Sequence, residues 1–191
     1  MTPPATPLMS ASIVLNTFEQ LESGGHLEQV RRLLLPGCRD RLANLTAGDW
    51  VNLDDHLSVY EATLSALGPG RSFDVWHGTM LITLQKGLYR KLWSGLNRVN
   101  AESPINFYRH VGASWSMATR LCGEQSWEGE EVRGTVKWHQ LPRAMIESAG
   151  FCMSMRAKLE AVLAASRVEG TVKQIRRDLD AGALQLLATW R

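Results

Sequence analysis

The sequence predicts an α+β fold: a helical N-terminal two thirds packed on a C-terminal antiparallel sheet, which carries a strand-helix-strand-strand unit. Three observations predict it. Val132, Val136 and Trp138 alternate with Arg133, Thr135, Lys137 and His139, the period-two pattern of a half-buried strand. Phe151, Met155, Leu159, Val162 and Leu163 recur at helical spacing, giving one apolar stripe. Asp180-Ala181-Gly182 forms a tight turn before a second alternation, Leu184, Leu186, Ala188 and Trp190, which is a hairpin signature. A sheet with one apolar face needs a cover. The helix after Gly150 supplies part of it, and the upstream helices supply the rest.

Taken from the amino end, Met1 to Ser10 holds three prolines and no basic n-region before an apolar run, so it is expected to be a disordered tail rather than a signal peptide. The remainder, 11–191, is expected to be one α+β domain. Ala11 to Phe18 starts with β-branched Ile13 and Val14, which favours a strand running into a helix through Glu22. His26 to Leu35 reads as a helix ended by Pro36-Gly37, and a short second helix fits Cys38 to Leu45. Asn52 or Asp54 can cap the next helix. Along it Leu53, Leu57, Tyr60, Leu64 and Leu67 share a face, and Gly68-Pro69-Gly70 is a firm stop.

Ser72 to Arg98 is the most apolar segment and is expected to be a buried central helix. Ser103-Pro104 starts another, with Tyr108, Val111, Trp115, Ala118 and Cys122 on its buried face. Gly123 ends it. Arg176 to Leu179 is ambiguous, because Val172, Ile175 and Leu179 keep helical rather than strand spacing.

Composition narrows the function classes. The 191 residues carry 21 basic and 19 acidic side chains, a net charge of +2, with no Lys/Arg run longer than two. That offers no electrostatic footprint for nucleic acid or an anionic membrane. No apolar run approaches the roughly 20 residues of a membrane span. Cys38, Cys122 and Cys152 are dispersed and odd in number, so they read as buried thiols in a reducing compartment, and the chain is expected to be cytoplasmic.

The five histidines form no metal-binding spacing and none lies within four residues of a cysteine, so neither zinc nor di-iron has a local signature. Nucleophile-elbow, dinucleotide and phosphate-loop motifs are missing as well. The sequence therefore points away from an enzyme, and no cofactor is specified. Buried or rim positions are the plain reading of His77 and His110. The sharper one is contact with a planar ligand such as a heme or a phenol.

The seven tryptophans are the informative set. Trp76, His77, Tyr89, Trp93, Tyr108, His110, Trp115, Trp138 and Phe151 lie on the elements expected to meet between helices and sheet. They make either a Trp-rich core or an aromatic-lined pocket between the central helix and the sheet. The pocket reading gives a non-enzymatic small-molecule-binding or sensory domain, taking a hydrophobic or aromatic small molecule. The closed-core reading gives a protein-protein interaction or scaffold module.

The segment Val132-Arg133-Gly134-Thr135-Val136 leading to Leu141-Pro142, the helix opened by Gly150-Phe151, then Val172, Ala183-Leu184-Gln185-Leu186 and Trp190, resembles the C-terminal half of the vinyl-reductase-type ligand-binding domain. Its relatives are the heme-NO-binding-associated domain and the TRAPP trafficking subunits. Upstream, Ser12-Ile13-Val14-Leu15, the helix of His26 to Leu35 and Asp49-Trp50-Val51-Asn52-Leu53 are similar to a myxobacterial paralogous family of unknown function in the same superfamily. The resemblance implies a four- or five-stranded antiparallel sheet backed by helices, and a domain that binds small hydrophobic molecules or acts as a dimeric interaction module, as a homodimer or with a partner protein. Zinc-containing members carry a cysteine cluster near the last hairpin. Here that place reads Arg176-Arg177-Asp178-Leu179-Asp180-Ala181-Gly182, which puts zinc in doubt.

Overall fold

The computed structural model describes residues 6–87, 90–91, 93–95 and 103–191. At the amino end, β1 (Leu8–Ser10) runs straight into α1 (Ala11–Ser23). This corrects two expectations: residues 8–10 are strand rather than tail, and residues 11–18 are helix rather than strand. Ala11, Val14, Phe18 and Leu21 are all buried at spacings of three, four and three, a helical face whose packing overrides the β-branched preference at Ile13-Val14. The helices that follow, α2 (Leu27–Arg31) and α3 (Cys38–Leu42), are shorter than expected. Past Arg31 the apolar periodicity has nothing to pack on, and Leu33 is left 51% exposed.

Next come β2 (Trp50–Asn52) and α4 (Leu53–Leu84). Asn52 caps α4, its side-chain oxygen accepting the Asp55 amide at 2.8 Å. Gly68 ends the first arm of α4 at a kink, as the sequence indicates. Its φ of 73° and ψ of 173° break the helical path, and Pro69 starts the second arm, where a missing N–H costs nothing. Ser72 Oγ donates to the Thr63 carbonyl at 3.0 Å across the bend. Most of the predicted central helix beyond residue 87, Tyr89 included, lies outside the described residues.

The single helix expected from Ser103 to Cys122 is two, α5 (Pro104–Tyr108) and α6 (Val111–Ala118), parted at Arg109-His110. The chain then extends into β3 (Thr119–Arg120), and β1 lies between β2 and β3 in a small antiparallel sheet.

The main sheet uses β4 (Glu124–Gly129), β5 (Arg133–His139), β6 (Gly170–Asp178) and β7 (Ala183–Trp190), in the antiparallel order β4-β5-β7-β6. Between β5 and β6 lie α7 (Arg143–Glu147) and α8 (Ala149–Ala165). Strand β4 was not expected, because Glu-Gln-Ser-Trp-Glu-Gly carries no β-branched residue and reads as loop. The inward face is the predicted one: Val136, Trp138, Val172, Leu184, Leu186 and Ala188 are all buried, with Val136 opposite Leu186 and Trp138 opposite Leu184. A bulge between Gln174 and Arg176 turns Ile175 outward. The helical spacing noted around it is therefore an accident of the extra residue.

Helix α8 covers this face and packs along α4. The crossing is close at Gly150, where an added Cβ would meet the Tyr60 backbone at 2.8 Å. Ser148 caps α8 by accepting the Phe151 amide at 2.9 Å, and Glu61 of α4 accepts both the Gly150 amide at 2.9 Å and the Ser148 hydroxyl at 2.5 Å. The carboxylate thus satisfies orphan donors at a helix start, where negative charge is favoured.

Candidate small-molecule site

Where the helical part meets the sheet, the core leaves a cavity of about 90 Å³. Met9 and Ile13 line it from β1 and α1, and Met80 and Thr83 from the second arm of α4. Phe107, Val111, Ser114, Trp115 and Ala118 come from α5 and α6, Gln125 and Trp138 from the sheet, and Met155, Lys158 and Leu159 from α8. The wall is almost wholly apolar, and its three methionines can repack around different shapes. No Asp or Glu lines it.

Its polar groups are few. Lys158 donates from Nζ to the Tyr60 hydroxyl at 2.6 Å. Burial lowers the amine from 10.5 to about 7 and raises the Tyr60 phenol above its ordinary range, since each charged form loses hydration. The Trp138 indole N–H is buried without a hydrogen-bond partner among the described residues, an arrangement that costs about 1–3 kcal/mol if nothing accepts it. By contrast Trp115 Nε1 donates to the Gly123 carbonyl at 3.2 Å, and Asn16 donates to Thr83 at 2.9 Å.

Of the residues singled out in the sequence, Trp115 and Trp138 line the cavity and touch edge to face, their centroids 6.3 Å apart. Phe151 is buried behind them, 6.4 Å from Trp115 and 6.1 Å from Tyr60. Trp76 packs on Tyr60 at 6.0 Å. Tyr108 stacks on Trp127 at 4.9 Å and donates to the Leu159 carbonyl at 2.9 Å. Trp93 meets Phe107 edge to face at 5.9 Å. His77 is half-buried and stacks on Phe73, and His110 is exposed with Nδ1 2.8 Å from the Asn106 carbonyl. None of Trp76, His77, Trp93, Tyr108, His110 and Phe151 is in the cavity wall.

Lys158, Tyr60 and His56 were not singled out. The signal for Lys158 was in the sequence: Phe151, Met155, Lys158 and Val162 are spaced four, three and four, so a lysine fills an apolar helical slot. His56 is 1% exposed and its ring lies 5.1 Å from that of Tyr60. Neither ring nitrogen has a partner among the described residues. Burial first, and then the Lys158 charge, depresses its pKa to about 3, so it is neutral at ordinary pH. All three cysteines are buried free thiols, raised in pKa by burial. Among the described residues there is no cluster of three potential metal-binding side chains, and no helix is long and apolar enough to cross a membrane.

No protein-family model matches the chain, and no curated protein matches it. Solved structures do. An unliganded Fe(II) H-NOX protein from K. algicida superposes with a TM-score of 0.67 at 8% identity, covering 96% of this chain and 97% of that one. An oxygen-binding H-NOX domain related to soluble guanylate cyclases, in its oxygen complex, gives 0.63 at 11% identity over 96% and 95%. A third H-NOX structure, concerned with activation, gives 0.67 at 11% identity over 96% and 97%. This chain has the H-NOX fold. The α+β prediction and the heme-NO-binding part of the sequence resemblance agree with it.

Two further H-NOX structures of similar fold are described by their heme. Cofactor sites usually occupy about 300–1,000 Å³, and this one is about 90 Å³. None of the five histidines or three cysteines lines it. Bulky Phe107, Trp115 and Trp138 are among the side chains that bound this small space. As packed, the site does not fit a heme.

Proposed function

We propose that the chain is a non-enzymatic small-molecule-binding or sensory domain that uses the H-NOX fold without heme. Its ligand sits in the cavity between α6, α8 and β5. The observation that carries this reading is the apolar cavity itself, walled by Trp115 and Trp138 and holding one charged lining side chain, Lys158, a donor for a ligand oxygen. The ligand class follows from the walls: an apolar molecule of only a few heavy atoms, since one liquid water takes about 30 Å³, bearing one hydrogen-bond acceptor. The sensory part of the proposal draws on the fold's kinship with domains described with heme and oxygen.

The test is an NMR titration of the ¹⁵N-labelled indoles with propanamide, a small apolar molecule with a carbonyl acceptor. The Trp138 indole resonance should shift saturably while that of Trp127, outside the cavity wall, stays in place. An unchanged Trp138 resonance would remove the proposal.

A second reading, an interaction module, draws on Leu33 and Leu35. Both are about half exposed and line a surface groove with Leu57 and Ala62. Native mass spectrometry separates the two, because a co-purified small molecule belongs to the first and a stoichiometric protein partner to the second.

A further inference from the structure

We propose that Lys158 captures a small aldehyde or ketone in the cavity as a reversible imine, with the Tyr60 hydroxyl hydrogen-bonded at its nitrogen. The proposal deepens the ligand-binding reading and rests on it.

The geometry sets Lys158 apart from the other lysines. Lys86 pairs with Glu19 and Lys137 with Glu128, and Lys91 is exposed. Lys173 is exposed on β6. Lys158 instead lines a cavity without carboxylates, and its hydrogen-bond partner is a phenol. Such surroundings favour the neutral amine, which is the nucleophilic form. The downward pKa shift noted above agrees with this.

The chemistry balances without an oxidant or reductant. The Lys158 nitrogen lone pair forms a bond to the carbonyl carbon as the C=O π pair moves to oxygen. That oxygen takes a proton from the Tyr60 hydroxyl, which remains protonated until then because burial raises its pKa, and the nitrogen returns a proton to the phenolate. Loss of the hydroxyl as water, with a second proton from nitrogen, leaves the C=N bond. Hydrolysis reverses every step. Cavity size limits the carbonyl compound to a few heavy atoms, and the apolar wall selects a short alkyl chain.

The probe is propanal, added at neutral pH to the intact chain with cyanoborohydride to trap the imine as a secondary amine. Peptide mapping should find one propyl group, on Lys158, appearing at least about tenfold faster than on Lys173. That ratio reflects the cavity that holds the carbonyl compound beside Lys158 and the partly buried surroundings that favour its neutral, nucleophilic amine. The fast adduct should vanish in Lys158→Arg, which keeps a cation but forms no stable imine. Labelling of Lys158 no faster than Lys173 in the unmutated protein overturns the imine. If propanamide still shifts the Trp138 indole in that case, the binding reading stands alone. If it does not, both fail.

Discussion

Lys158 Nζ lies 2.6 Å from the hydroxyl of Tyr60, a residue 98 positions earlier in the chain. The contact joins α8 to the first arm of α4, deep in the helix-sheet interface, and it places a titratable amine where water is scarce. Its consequence for stability has a definite sign. The folded-state pKa is lowered from 10.5 to about 7, so between those values the unfolded chain binds more protons than the folded one. Stability therefore rises with pH across that window, and the penalty is fully present below about pH 7. In urea melts, the unmutated protein should gain on the order of a few kcal/mol between about pH 7 and pH 10. Lys158→Met should lose most of that slope. A slope equal in both proteins would show that the amine is freely hydrated.

A half-buried ion pair elsewhere also makes stability rise with pH, but in the acid range and as a favourable contribution rather than a penalty. Asp55 is 2% exposed and takes two hydrogen bonds from Arg41, at 2.7 and 2.6 Å, plus one from Asn52 at 2.8 Å. The Arg41 guanidinium, first among the causes, holds its pKa below the ordinary carboxylate range. Its contribution is present above the unfolded carboxyl pKa, near 3.9, and is lost as pH falls through the lower folded value. Arg41 is half exposed, so the cost of Asp55→Asn is put at about 2–3 kcal/mol at neutral pH, below the range for fully buried pairs. The difference from the unmutated protein should shrink in acid. Chemical denaturation at neutral pH and near pH 3 checks both parts.

The sequence carried the main sheet well, because Val136, Trp138, Leu184 and Leu186 mark the buried face and most positions between them are polar. It carried β4 poorly, since that strand is a polar edge strand whose only large apolar residue is Trp127. Helix boundaries failed where a tertiary partner decides them. Leu33 has helical periodicity but is left half exposed, whereas Gly68-Pro69 ends one helical arm and starts the next, as the sequence indicates. Of the residues singled out for the candidate site, Trp115 and Trp138 line the cavity and the other described ones do not. Lys158 was passed over because attention to apolar residues hides the one charged residue in an apolar stripe. Which donors lack acceptors depends on side-chain orientation, and no spacing rule reports that.

Close approach of α4 and α8 gives a third prediction. Gly150→Ala would push a methyl to 2.8 Å from the Tyr60 backbone, which cannot move without shifting α4. Overpacking of this kind costs about 1–3 kcal/mol, against the usual gain of Ala over Gly within a helix. Thermal denaturation should show the variant less stable than the unmutated protein.

Heme exclusion is directly measurable. The cavity of about 90 Å³ has no histidine or cysteine in its wall. Titration of hemin, oxidised or reduced, should leave the absorbance of free hemin with no saturable Soret shift. A stoichiometric Soret band would mean that Trp115 and Trp138 separate to admit the macrocycle, and the closed packing would no longer describe the functional state.

The cavity itself is tested by filling it. Ala118 is buried at the end of α6 and lines the space. Ala118→Leu adds three carbons and keeps a good helix former. If the space is available, those carbons gain contacts that the apolar wall now lacks, and stability should rise by about 1 kcal/mol, as cavity-filling changes commonly do. Propanamide should then no longer shift the Trp138 indole resonance, although the protein is better folded than before. That pairing separates loss of the site from loss of the fold, which truncation of Trp115 could not do, because removing a buried aromatic ring costs about 3–5 kcal/mol by itself. A destabilised Ala118→Leu protein would mean that the wall closes onto Ala118 and that no ligand-sized space exists there.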